Sequence, residues 1–261
     1  MPTAAAHDES TPSLALPTRR APAARPHLVA VGTPDAPPAS VWWARIADGG
    51  PASREHSLIA VNSERFADGT PVDMTAIESR GRRPVGWLVD VRYRATDGAV
   101  LRIDPAGSLA ELCPPLWFAE LHHATSPIAA SSLLAFAGTA FPAGAVVGPR
   151  EVGAAGVRMT DGIGELRWYN RSGIVDTVTV DPAVRRRGVG SVLVVAAEAL
   201  RILRGWAPLR SDGRLTDAGA AWLSAAPPAW RSRLADRVEA LPDDAADDAP
   251  TGVARLLKDY A

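Results

Sequence analysis

"GIVDTVTVDPAVRRRGVGSVLVVAAEALRILRG", residues 173–205, is the stretch that decides how this chain is read. Its first part, Ile174 to Val180, is rich in β-branched residues and predicts a strand. Its last part, from about 189 to 204, is a long run of Val, Leu, Ile and Ala. Polar Ser191, Glu198, Arg201 and Arg204 form only a narrow stripe on it. That pattern predicts a helix that packs broadly against a sheet, with Gly205 placed to cap its C-terminus. Between the two lie Asp181, Pro182, three consecutive arginines (Arg185, Arg186, Arg187), and two glycines spaced one apart (Gly188, Gly190).

A helix start leaves about four backbone N–H groups without intrahelical partners and carries partial positive charge. Anions bind there. Gly188 and Gly190 remove side chains that would hold a phosphate off the backbone, and the arginines add charge beside it. The junction therefore reads as a pyrophosphate cradle. It is not a Walker loop, which needs a lysine after its last glycine; Lys258 is the only lysine in the chain. It fits a dinucleotide fingerprint poorly too. Leu193 stands where that motif wants a small residue, and seven residues separate the strand from the first glycine.

The spacing V-x-P-x-x-R-x-x-G-x-G-x-x-L, met by Val180, Pro182, Arg185, Gly188, Gly190 and Leu193, resembles the acyl-CoA-binding motif of the GNAT superfamily, the GCN5-related N-acetyltransferases. The resemblance spans roughly residues 100–235, and its specific part is 175–195. It implies an α+β fold: a mixed, mostly antiparallel sheet flanked by helices, here preceded by a β-rich N-terminal region. It implies acetyl-CoA as acyl donor, lying against the strand 174–180. Backbone groups near Val178 and Val180 would meet the pantetheine arm. Arg185, Arg186, Arg187, Gly188, Val189, Gly190 and Ser191 would hold the pyrophosphate. The implied partner is an amine, on a small molecule or a protein, that attacks the thioester directly.

Such a reaction needs a base, a polarised carbonyl and a proton for the leaving thiolate. In the family the base is often a carboxylate on the strand entering the motif. Asp176 is the candidate, on the same face as Ile174, Val178 and Val180. Glu165 and Tyr169 on the neighbouring strand are the other candidates. Many members use a tyrosine after the motif as thiolate acid, but no tyrosine stands between Gly190 and the acidic linker near the C-terminus. A GNAT-like acyl-CoA-binding or regulatory module without turnover is the alternative.

Elsewhere the pattern divides the chain into a Pro/Ala-rich flexible leader (1–40, with one short strand at 27–32), a β-rich region (41–105), the acyltransferase-like region (106–235), and an acidic linker with a terminal helix (236–261). "VWWARIA", "HSLIAV" and the pair 87–94 and 100–103 about "TDG" predict strands. "SLAELCPPLWFAELHH" and "PIAASSLLAFAGTAF" read as helical segments. The stretches 152–159, 164–170 and 173–180 read as a three-strand meander, and "LTDAGAAWLSAAP" as a short helix. His122–His123 reads as a surface pair at a helix end; with no H-E-x-x-H, no metal site is expected.

The formal net charge of −1 argues against a nucleic-acid partner. Cys113 is the only cysteine, so no intrachain disulfide forms, and a small buried hydrophobe is its default role. No apolar run reaches the roughly 20 residues of a membrane span, and the start has no secretory pattern. The expected location is cytoplasmic, without a membrane partner; a homodimer is compatible with the pattern.

Overall fold

The computed structural model describes residues 40–48, 53–76, 83–124, 128–212, 217–226 and 231. The leader through residue 39, its strand at 27–32, and the linker and terminal helix at 236–261 lie outside the described residues.

The first half builds a five-stranded sheet from β1 (Val41–Ala47), β2 (Glu55–Asn62), β3 (Pro71–Asp73), β4 (Trp87–Arg94) and β5 (Val100–Pro105), in the order β3-β1-β2-β4-β5. The strands expected here are all present. Side chains alternate as the pleat demands. Val41, Trp43, Leu58, Ala60, Val89, Val91 and Ile103 point into the main core, whereas Trp42, Ala44, Ile46, Ile59 and Val61 cluster on the outer face.

The second sheet contains β6 (Leu116–His123), β7 (Ala130–Ala137), β8 (Val146–Val147), β9 (Gly164–Tyr169), β10 (Ile174–Val180) and β11 (Arg210–Ser211), ordered β11-β10-β9-β7-β6-β8. Strands β6, β7, β9 and β10 run antiparallel in turn; β11 is parallel to β10, and β8 to β6. Among the described residues four α-helices accompany them: α1 (Gly107–Ala110), α2 (Pro149–Ala154), α3 (Val189–Arg204) and α4 (Asp217–Ala225). The fold is α+β with two mixed sheets.

Two expectations fail here. The segments 108–123 and 127–141 contain strands β6 and β7, preceded only by the one-turn helix α1. Both faces of these strands are covered, so nearly every residue is buried and the alternation that marks a half-buried strand is missing. Alanine-rich composition favours a helix locally, but ladder pairing between the two segments overrides it. Conversely, 152–159 is no strand: α2 starts at Pro149, a residue that pre-sets the first helical turn, and a 3₁₀ turn at Met159–Asp161 follows. The antiparallel run therefore consists of β6, β7, β9 and β10. His122 and His123 lie on β6, with His122 exposed and His123 buried, so the helix-end reading fails with it.

Helix α3 is the shared core of both sheets. It packs on β9, β7 and β10 from one side and on β4, β2 and β5 from the other. Val192, Leu193, Ala196, Ala197, Ala199 and Leu200 are completely buried. Each buried Val or Leu contributes about 1.5–3 kcal/mol. The sheets also meet at one edge, where Arg102 bridges Ala145 and the Ile103 amide donates to the Gly144 carbonyl at 2.8 Å. The helix C-terminus is fixed by Gly205 at φ 67°, as expected, and by Arg204, which donates to both Glu120 carboxylate oxygens at 2.8 Å. A basic group at that end also suits the helix dipole.

Candidate functional site

Strand β10 is closed on one side and open on the other. It pairs with β9 along its length. With β11 it pairs only at Ile174–Arg210 and Val175–Ser211. The contact point is fixed by Gly173, at φ 72°: a Cβ there would sit 1.9 Å from the Pro208 carbonyl oxygen. Only glycine lets the two segments cross so closely. From that crossing the strands diverge, so Asp176 to Val180 have no strand neighbour on the outer side among the described residues. Val178 is 48% exposed as a result. Glu198, buried in α3, accepts from the Leu209 amide at 3.3 Å and so anchors the approach to β11.

The open edge leads directly into the Arg–Gly loop. Asp181 accepts from the Ala183 amide at 2.8 Å and sets the short 3₁₀ turn Pro182–Val184. Arg185, Arg186 and Arg187 are all exposed. Arg186 has φ 61°, the one non-glycine positive φ among the described residues. Gly188, at φ 91°, is the N-cap of α3 and offers no side-chain cap to the first-turn amides. Val189 is buried and belongs to the core, whereas Gly190 and Ser191 are half-buried.

Two members of the expected cradle already have partners. Arg185 Nε donates to the Val180 carbonyl at 3.1 Å, covering a group expected to meet a pantetheine arm. Ser191 Oγ accepts from the Trp222 indole on α4 at 2.9 Å, which ties the start of α3 to α4.

The two glycines differ in kind. A Cβ on Gly188 would lie 2.5 Å from the Leu109 carbonyl oxygen on α1, so packing alone requires glycine. A Cβ on Gly190 would meet only Val180 Cγ2 at 3.6 Å, an ordinary contact, and its φ lies outside the positive range. Nothing within the described protein demands glycine at 190.

The structure brings Asp176, Glu165 and Tyr169 together, on a face that regular alternation does not give. The register of β10 on β9 slips between Val175 and Thr177, so Asp176 is the extra residue of a β-bulge. Val178 pairs with Leu166 and keeps to that side, whereas Asp176 joins Arg167 and Tyr169 on the opposite face. The Tyr169 hydroxyl donates to Asp176 Oδ1 at 3.0 Å. Arg167 Nε lies 3.5 Å from Asp176 Oδ2. Glu165, two residues before Arg167, is 3% exposed, and neither of its carboxylate oxygens has a partner in hydrogen-bond geometry. Burial pushes its carboxyl above the ordinary value, over the opposing pull of the Ser132 hydroxyl and the Arg167 guanidinium; the Asp176 charge adds to the rise. Ser132 in turn meets His123 Nε2 at 3.1 Å.

Arg167, Ser132 and His123 were not among the residues expected from sequence. The signal for Arg167 is the E-x-R-x-Y spacing at 165–169, which places three polar groups on one strand face. Ser132 and His123 carry no such signal, because only strand pairing sets them beside Arg167 and Ser132 respectively.

Cys113 is half-buried, and burial pushes its thiol up to about 11. Among the described residues no group of three or more His, Cys, Asp or Glu is arranged to hold a metal ion. No described helix is long and apolar enough to cross a membrane. No family model, no curated protein and no solved structure matches this chain.

Proposed function

We propose that the chain is an acyl-CoA-dependent N-acyltransferase with a GNAT-like core formed by β9, β10, α3 and β11. Acetyl-CoA is the expected donor and an amine the acceptor. The observation that carries the reading is Gly190: a glycine that the protein's own packing does not require, in the first turn of a helix with no side-chain cap. Close approach of a ligand to the backbone accounts for it. The diverging β10–β11 pair supports the reading, since it exposes strand backbone for an extended amide-bearing arm to pair with. So does the αL backbone of Arg186, a strained conformation of the kind that clusters at ligand clamps.

In this reading Asp176, with its side chain 20% exposed on the bulge, takes the proton from the attacking amine. Tyr169 and Arg167 hold its two oxygens in place. Glu165 lies deeper and keeps its proton to higher pH than an exposed glutamate.

Gly190→Ala tests the proposal. The substitution leaves stability unchanged or raises it by up to about 1 kcal/mol, because alanine is the better helix former. Binding of CoA, measured by calorimetry, weakens at least about tenfold, because a methyl group holds the diphosphate off the amides. Unchanged affinity, or no CoA binding by the native chain, overturns the reading.

A second reading, an acyl-CoA binder without turnover, is favoured by one observation: both oxygens of Asp176 already face donors. Release of free thiol from acetyl-CoA over a panel of amines separates the two. Turnover that falls in Asp176→Asn while CoA affinity holds supports catalysis.

A further inference from the structure

The outer face of the first sheet, turned away from α3, carries a cleft of about 210 Å³. Strand register places its residues in two neighbouring rows. Ile46, Ser57 and Arg92 lie across β1, β2 and β4 in one row; Ile59 and Asp90 lie in the next. On β5 the rows continue as Arg102 and Asp104. One row therefore carries cations and the other anions, two residues or about 7 Å apart along the strand.

Asp90 is the central group. It is 5% exposed, and Oδ2 accepts from Arg83 Nε at 2.8 Å. Oδ1 is buried and has no hydrogen-bond partner, yet Asp90 lines the cleft. A buried carboxylate oxygen left unpaired is destabilising, so it marks where a donor belongs. Arg83 does not supply that donor. It is stacked on Trp87 with its guanidinium 4.3 Å from the ring centre, and it also bonds Asp104 at 3.0 Å. Arg92 lies with Nε 3.0 Å from Asp48 at the rim, and its side chain is 35% exposed.

Asp48 and Asp90 balance Arg83 and Arg92, so the cleft favours neither a pure cation nor a pure anion. We propose that it binds a free α-amino acid. The ligand's ammonium donates to Asp90 Oδ1. Its carboxylate accepts from Arg92, one row away, and its side chain rests on Ile46 and Ile59. An ammonium and a carboxylate on a shared carbon span the gap between rows once hydrogen-bond lengths are added. The volume, below the range of about 300–1,000 Å³ that serves drug-sized ligands, suits a molecule of this size. The site is independent of acyl transfer, since it lies on the opposite side of the sheet from α3.

The test uses the full chain with glycine, leucine and phenylalanine as probes, and with leucine methyl ester and 4-methylpentanoate as controls that lack one charge each. Saturation-transfer NMR and calorimetry give the affinities. At least one amino acid binds with a Kd of about 1 mM or tighter. If that is leucine, each control binds at least about tenfold more weakly. If glycine or phenylalanine binds instead, its own ester and deaminated acid are the controls. Asp90→Asn weakens the amino acid about tenfold and leaves CoA binding unchanged. Should Asp90→Asn fail to fold, Arg92→Gln at the rim carries the same expectation. Controls that bind as tightly as the amino acid overturn the proposal. So does the absence of binding by all three probes at about 10 mM, which assigns the free oxygen to water.

Discussion

The two sheets that enclose α3 treat their strands differently. In the first, β4 is hydrogen-bonded on both sides, to β2 and β5, along nearly its whole length. In the second, β10 has β9 on one side and only a two-residue contact with β11 on the other. Both strands contain a register slip, but only in β10 does the slip carry a carboxylate across to the face of Tyr169 and Arg167. A strand that serves only packing closes its edges, since unpaired backbone is a liability. In the proposed function, the edge left open beside an uncapped helix start and a left-handed arginine is where the acyl-CoA would complete the hydrogen bonding.

The widest claim in that contrast is that one helix serves both sheets. Trp43 in the first sheet and Leu166 in the second are both fully buried. Trp43→Ala should destabilise by about 3–5 kcal/mol and Leu166→Ala by about 2–5 kcal/mol. In both variants urea denaturation should remain one cooperative transition, followed by tryptophan fluorescence and circular dichroism together. Two separated transitions would break the picture of a shared core.

Gly188→Ala sharpens the difference between the two glycines of the junction. The position is left-handed, and the new Cβ meets the Leu109 carbonyl at 2.5 Å. The variant should lose about 1–3 kcal/mol of stability together with CoA affinity, whereas Gly190→Ala loses affinity alone. Equal stability changes in the two variants would remove the distinction.

A smaller effect concerns the buried polar cluster of the second sheet. The Glu165 carboxyl is raised in the folded chain, so the folded state holds its proton to higher pH than the unfolded state does. Stability is therefore highest at and below the ordinary glutamate range. It falls as pH rises from there through the raised value. In Glu165→Gln that fall should be absent, and thermal melts from about pH 4 to pH 8 read the difference. Parallel profiles would mean that Glu165 is ionised against Arg167 instead.

Much of the junction was legible from residues 173–205. Strand, turn, helix and C-cap follow from local rules: β-branched alternation, Pro182, Gly188 and Gly205. The first sheet was legible too, from β-branched and aromatic runs such as VWWARIA and from the alternation of Trp87, Val89, Val91 and Tyr93 with Leu88, Asp90 and Arg92 before the TDG turn. The strands β6 and β7 were not, because burial on both faces erases their period and leaves runs that suit a helix equally well. The face occupied by Asp176 was hidden too: a bulge depends on how a strand meets its neighbour, and no residue at 174–180 announces it.

The sequence by itself determined the charged, glycine-bearing turn and the apolar helix after it, because those depend on side chains within a few residues of one another. Only the tertiary structure decided that this helix lies between two sheets, that β10 opens away from β11, and that Glu165, Arg167, Tyr169 and Asp176 share one face. Strand pairing and close packing join residues far apart in the chain, and their outcome depends on which surfaces find each other, not on any local pattern.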